Sequence, residues 1–267
     1  MNERLFRPQF NQMDTTEKQA LMESLAARYN MTFLDLHTFD RWGQSSTTGI
    51  FEKDGRKFVF VPGDTVTLGW EQFAVGLNQE SREELEYLFR EWEMEPQNPE
   101  EMIRESMAPV RQAAIGPMLV GRELEELCWE SVKMDDPRLT AHPDWLKEFR
   151  DFAWSDSSSL TLHQSARIER TEDGFQTWIY NRTDYDELLT GLEKQGLSLP
   201  TADEWAYLCG GGCQTLFPWG DGLDYSMRLR WFEDMDEDEN RSYDMEEPNF
   251  FGLSIAYDPY MREVVQA

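Results

Sequence analysis

Histidine and cysteine are scarce in this sequence, which limits the metal-binding and nucleophilic chemistry that its side chains can support. The 267 residues include three His and three Cys, the latter at Cys128, Cys209 and Cys213. The histidines are scattered, with no pair four residues apart of the kind that zinc proteases carry on a helix. An odd number of cysteines, with no secretory leader pattern in the first residues, predicts reduced thiols in a cytoplasmic protein.

Basic residues and long apolar runs are also few. The chain has 25 Lys and Arg against 52 Asp and Glu, a formal net charge of −27. Such a charge repels nucleic-acid phosphates and anionic lipids, so we expect no nucleic-acid partner and no membrane association. No apolar run approaches the ~18 residues that a membrane-spanning helix needs. The acidic excess indicates a solvated surface or, alternatively, a surface that neutralises a basic partner.

The turns and helix caps that are present predict an α+β protein with short strands, hairpins and several helices. Asp14 and Glu17 have capping-box spacing, which predicts a helix start. Asp54-Gly55 and Asp173-Gly174 are two-residue turn signals, and each predicts a hairpin between flanking apolar strands. The Ser/Thr/Gly-rich residues 43–49 are predicted to form a loop.

Further helices are predicted in the middle of the chain. The spacing of Ser81 and Glu84 predicts a second capping box, and Pro99 suits the first position of a short helix. A third helix is predicted from about Arg122, and Thr183 is the predicted cap of a fourth, over residues 185–194. Residues 135–160 are expected to be irregular.

The most specific segment is residues 199–212, LPTADEWAYLCGGG. The Thr201 hydroxyl and the Glu204 carboxylate have the spacing of a capping box, so a helix is expected to begin there. The glycines at 210–212 are expected to end this helix. Residues 217–221, FPWGD, then predict a rigid aromatic turn.

These two segments, in this order, resemble the formylglycine-generating-enzyme (sulfatase-modifying-factor) family. Three further blocks agree with the family in order: residues 58–69 (FVFVPGDTVTLG), 108–120, and 248–253 (PNFFGL). The resemblance implies a C-type-lectin-like fold for residues 58–267, with an insertion around residues 130–165. Residues 1–57 are then an N-terminal helical and hairpin extension. The family's C-terminal region is expected to continue beyond Ala267.

The resemblance also shows where this chain departs from the family's metal sites. In the family, a Gly-Asn-Val-Trp-Glu-Trp segment helps to hold calcium, but here Tyr260 replaces the Asn and Glu263 alone remains. The calcium candidates are therefore Asp236, Asp238 and Glu263, and calcium is the one cofactor that the sequence suggests. None of the cysteines falls at the places of the family's copper-binding pair.

Three functional interpretations follow from this pattern. The first is a non-catalytic binding domain, with no catalytic residues, that presents loops to a protein or a small ligand. The second is a copper-dependent cysteine-oxidising enzyme, or a related oxygenase, whose catalytic residues lie beyond Ala267. The third is an acidic interaction or immunity-type protein.

Overall fold

The computed structural model describes residues 3–95, 98–171, 173–229 and 242–266. Contacts divide the chain into two units, one of residues 1–124 with 200–267 and the other of residues 125–199. Both units combine helices with antiparallel strands, which confirms the predicted α+β class. In the described ranges, no helix has the length and apolar character needed to cross a membrane.

In its described residues, the first unit has six strands in two antiparallel sheets. The strands are β1 (Thr32–Arg41), β2 (Gln44–Lys53), β3 (Arg56–Val61), β4 (Asp64–Leu68), β5 (Arg111–Ile115) and β6 (Met118–Gly121). One sheet has the order β1-β2-β3-β6, and β4 pairs with β5 in the other. The helices are α1 (Arg7–Phe10), α2 (Thr15–Tyr29), α3 (Gln79–Glu91), α4 (Pro99–Arg104) and α8 (Ala202–Gly210).

The hairpin predicted at Asp54-Gly55 is confirmed, but the loop predicted for residues 43–49 is wrong. Asp54 and Gly55 have φ angles of +52° and +78°, as the tight turn between β2 and β3 requires. Residues 44–49 belong to β2, and the long strand β1 was not predicted. The Thr48 side chain is buried, and its hydroxyl donates to the carbonyl of Phe60 at 2.6 Å. This polar group is therefore satisfied inside the sheet.

Helix α8 lies at the core of the first unit. Thr201 and Glu204 form the predicted capping box, and the helix ends at Gly210 with Gly211 as its C-cap. Tyr207 and Leu208 are buried among side chains of both sheets and of residues 250–253. The Tyr207 hydroxyl donates to the carbonyl of Pro62 at 2.9 Å, so its one polar group is satisfied inside the core.

The second unit, where the structure describes it, combines one antiparallel sheet with three helices. Its elements are β7 (Trp129–Val132), α5 (Pro137–Thr140), α6 (Pro143–Ala153), β8 (Ser159–Leu162), β9 (Ala166–Thr171), β10 (Gly174–Tyr180) and α7 (Tyr185–Lys194). The sheet order is β7-β10-β9-β8, and β9 and β10 form the hairpin predicted at Asp173-Gly174. Its core is formed by Val132, Leu139, Phe149, Phe152, Ala166, Ile168 and Ile179.

Several predicted helix boundaries are wrong. No helix begins at Arg122, which lies in a bend after β6; its N–H donates to the carbonyl of Lys57 and its carbonyl accepts from the N–H of Ser254. The cap of α3 is Asn78 rather than Ser81, and the cap of α7 is Asp184 rather than Thr183. Residues 135–160, expected to be irregular, contain the helices α5 and α6.

The predicted boundary between residues 57 and 58 lies within β3. A start at residue 58 cuts through β3, which pairs with β2 from the N-terminal extension. The insertion expected around residues 130–165 lies within the second unit, residues 125–199.

Candidate binding site

Residues 217–221 form the tight aromatic turn that the sequence predicted. The N–H of Phe217 donates to the carbonyl of Gly220 at 2.8 Å, and the rings of Phe217 and Trp219 stack with centroids 4.8 Å apart. The Trp219 indole N–H donates to the carbonyl of Gly222 at 3.1 Å, and the Trp42 ring lies 5.5 Å away. The turn is therefore fixed by both hydrogen bonds and ring contacts.

The side chain of Asp221 joins this turn to a loop far away in the sequence. Asp221 is 3% exposed, and one carboxylate oxygen accepts from the Leu216 N–H at 2.9 Å. The other oxygen accepts from the N–H groups of Val75 at 2.7 Å and Gly76 at 3.0 Å. We call residues 70–78 and 214–223 the paired loops, because this carboxylate holds them together.

The same hydrogen bonds lower the pKa of Asp221. Burial acts to raise the pKa of this carboxyl, but backbone N–H groups, led by those of Val75 and Leu216, outweigh burial and bring the pKa below its usual value. The carboxylate is therefore ionised at neutral pH, the state in which it accepts from several donors at once.

Asn78 makes a second link between the paired loops. Its side-chain N–H donates to the carbonyl of Leu223 at 2.8 Å, while its side-chain oxygen caps α3 through the N–H of Ser81. The Ser81 hydroxyl accepts from the N–H of Leu223 at 2.8 Å. Gly222 lies against Asn78 so closely that an added Cβ would come within 2.7 Å of the amide, so this position requires glycine.

Exposed apolar side chains lie on the paired loops and just after them in the chain. Val75 is 91% exposed, and Leu223 and Tyr225 are 43% and 49% exposed. Burial raises the pKa of the Tyr225 hydroxyl, and the carboxylates of Glu84 and Glu80 raise it further, so Tyr225 lies near acidic groups. We call Val75, Leu223 and Tyr225 the loop face; it combines exposed apolar surface with neighbouring negative charge.

Glu263 is the calcium candidate that lies within the described ranges, and its carboxylate accepts two hydrogen bonds. One carboxylate oxygen accepts from the Trp205 indole N–H at 2.6 Å and the other from the Ala256 N–H at 2.7 Å. Glu263 thus ties residues 256–263 to α8. Asp236 and Asp238, the other candidates, lie outside the described residues. Within the described part, no three His, Cys, Asp or Glu side chains are grouped as a metal site would need.

The thiols of Cys209 and Cys213 are held in their neutral form. Burial raises the pKa of both, and for Cys209 the nearby Glu263 carboxylate raises it further. A thiolate is the form that attacks substrates and binds soft metals, so this environment opposes both roles at neutral pH. All three cysteines are unpaired.

The sequence predicted the turn but not the role of Asp221 or of residues 70–78. The donors to Asp221 at Val75 and Gly76 are 146 and 145 residues away, beyond the reach of any local spacing rule. The available signal was an aspartate immediately after a Trp-Gly turn, a residue type that readily accepts from backbone N–H groups.

No family model, curated protein or solved structure matches the chain.

Proposed function

We propose that this chain is a non-catalytic binding domain on a formylglycine-generating-enzyme-like scaffold, and that its loop face binds a protein partner with a basic surface. The observation that carries this proposal is the Asp221 carboxylate, which fixes the paired loops while Val75 projects from them at 91% exposure.

The packing of the family-like segments supports the choice of scaffold. The segments 58–69, 108–120, 217–221 and 248–253 belong to the first unit, as do residues 200–212 of the segment 199–212. Asn249 connects two of them, because its side-chain N–H donates to the carbonyl of Leu208 at 2.8 Å. Its side-chain oxygen accepts from the N–H groups of Phe251 and Leu253. The segments on which the resemblance rests thus support one another structurally.

Preorganisation and charge support the choice of partner. A loop already held in one conformation loses less conformational entropy on binding, so more of the contact energy appears as affinity. The exposed apolar side chains on these loops are available for contact with a partner. A net charge of −27 favours encounter with a basic protein and disfavours acidic competitors.

A photo-cross-linking side chain at position 75 tests the proposal. With benzoylphenylalanine in place of Val75, we expect one discrete cross-linked protein of basic isoelectric point from an extract of the expressing cells. Unlabelled wild-type chain should compete for this product, and chain carrying Val75→Ser should compete at least several-fold less well.

Val110 provides a matched control, since it is also an exposed valine in the first unit, at 45% exposure. Cross-linker at position 110 should not trap the same protein. The same product from both positions, or equal competition by Val75→Ser, would contradict a role for the loop face. Equal competition would instead favour the alternative of a purely acidic interaction surface.

The non-catalytic character of these 267 residues has a separate test. We expect the 267-residue chain, supplied with oxygen, a reductant and copper, to leave a cysteine-containing sulfatase peptide unchanged in mass, because burial keeps its Cys209 and Cys213 thiols protonated. Appearance of the peptide aldehyde would contradict the non-catalytic proposal.

A further inference from the structure

The second unit contains an open apolar cavity of about 350 Å³ between α6 and its sheet. Its walls include Met134, Leu146, Phe149, Ala153, Ile168 and Phe175. Phe149 and Ile168 are almost fully buried, whereas Met134 and Phe175 remain 42% and 43% exposed at the opening. The volume is within the range of small-ligand sites, about 300–1,000 Å³.

The charged group at this cavity is a cation, although the chain as a whole is strongly acidic. Arg150 lines the cavity, and its Nε donates to the carbonyl of Leu146 at 3.2 Å. A second guanidinium, that of Arg170, lies 5.1 Å from the centre of the Phe175 ring at the opening. Two positive groups therefore lie on or beside the apolar walls.

Other arginines in the same unit form salt bridges with carboxylates. Arg138 forms salt bridges with Glu130 and Asp136, and Arg167 forms them with Glu126 and Glu169. Within the ranges that the structure describes, neither Arg150 nor Arg170 has a carboxylate within salt-bridge distance. The Arg170 guanidinium donates to the carbonyl of Ser155 at 3.0 Å, and both arginines keep further N–H donors for an anion from outside the chain.

We infer that this cavity binds a medium-chain monocarboxylate, with the alkyl chain against the apolar walls and the carboxylate at Arg150. Each methylene removed from water contributes about 0.8 kcal/mol, so a chain that fills the cavity supplies most of the affinity. A charge-assisted hydrogen bond from a guanidinium orients the head group and selects an anion. This site lies in the second unit and is independent of the function proposed for the loop face.

Titration calorimetry with decanoate tests the inference. We expect saturable one-to-one binding of decanoate to the full chain, and at least ~10-fold weaker binding of decyltrimethylammonium, which has the same chain length and the opposite charge. The cation should otherwise be favoured by a chain of net charge −27, so this order of affinities is diagnostic.

Three substitutions on α6 distinguish decanoate binding in the cavity from non-specific adsorption at the protein surface. Arg150→Gln should weaken decanoate binding about tenfold, and Ala153→Leu should weaken it by filling the cavity. Lys147→Gln removes the same charge from a lysine that is 65% exposed on the same helix, and should leave binding unchanged. Thermal melts followed by circular dichroism check that each variant is folded.

The inference is overturned if decanoate does not saturate, or if the ammonium compound binds as tightly. It is also overturned if Arg150→Gln has no more effect than Lys147→Gln, or if the folded Ala153→Leu variant binds decanoate as well as the wild type does.

Discussion

The Asp221 carboxylate links two loops that are far apart in the sequence. Its donors are backbone N–H groups, which must be satisfied when water is excluded, and hydrogen bonds to an ionised acceptor are stronger than those to a neutral one. Asparagine has nearly the same shape but offers one acceptor oxygen and adds donors that would face the loop N–H groups.

The substitution Asp221→Asn should therefore destabilise the first unit by about 1–3 kcal/mol at pH 7, the usual cost of leaving buried polar groups unsatisfied. Because the pKa of Asp221 is lowered in the folded state, its contribution is present above the unfolded value of about 3.9 and is lost as pH falls through the folded value. Urea denaturation from pH 7 down to about pH 2 measures the difference, which should be constant above about pH 4 and shrink below it. A gap between wild type and variant that widens toward acid pH would contradict this account.

The Thr201 hydroxyl caps the N-terminus of α8. It accepts from the N–H of Glu204 at 3.2 Å at the start of α8. We expect Thr201→Ala to lower the free energy of unfolding by about 1 kcal/mol, and Thr201→Ser to retain most of it, because serine keeps the hydroxyl. Equal denaturation midpoints for wild type and Thr201→Ala would show that this cap does not contribute to stability.

Among the helices and strands, the sequence predicted best the elements whose signals are local. The capping boxes at Asp14 and Thr201 and the turn at Asp54-Gly55 each depend on residues within a few positions, and each is confirmed. The strand β2 was missed because its Ser and Thr residues resemble a linker until β1 and β3 pair on both sides of it.

Helix caps were misassigned where two suitable residues compete. Ser81 has the correct spacing to Glu84, yet Asn78 caps α3, and the Ser81 hydroxyl accepts from Leu223 instead. That choice depends on a contact between positions 142 residues apart. The candidate site could not be predicted from the sequence for the same reason, because its residues come together only in the folded chain.

The loop 256–263 gives a prediction for calcium. Both oxygens of Glu263 already accept hydrogen bonds, and Ca²⁺ requires about six to eight oxygen ligands. We therefore expect no rise in melting temperature at micromolar calcium, and any effect at millimolar calcium should be lost in Glu263→Gln. A tight site would stabilise the fold by about 2.7 kcal/mol at a hundredfold excess of ion over its dissociation constant. A large shift at micromolar calcium would therefore contradict this role for Glu263.

At the scale of the whole molecule, the proposed binding function requires that the contact surface of the first unit is already formed before a partner binds. The core around Tyr207, Leu208 and Phe250 supports α8 and the segment 248–253. Asp221 links the loop that follows α8 to residues 70–78. The net charge of −27 then favours a basic partner, but affinity for a particular partner depends on the apolar loop face.

Hydrogen-exchange mass spectrometry over the full chain tests this central claim most directly. In the wild type, the amides of Val75 and Gly76 should be protected although Val75 is 91% exposed, because both donate to Asp221. In Asp221→Asn, that protection should fall, while peptides covering residues 166–180 of the second unit should exchange as in the wild type. If the Val75 and Gly76 amides of the wild type exchange as fast as those of the variant, the loop face is not preformed and the proposed basis of binding is wrong.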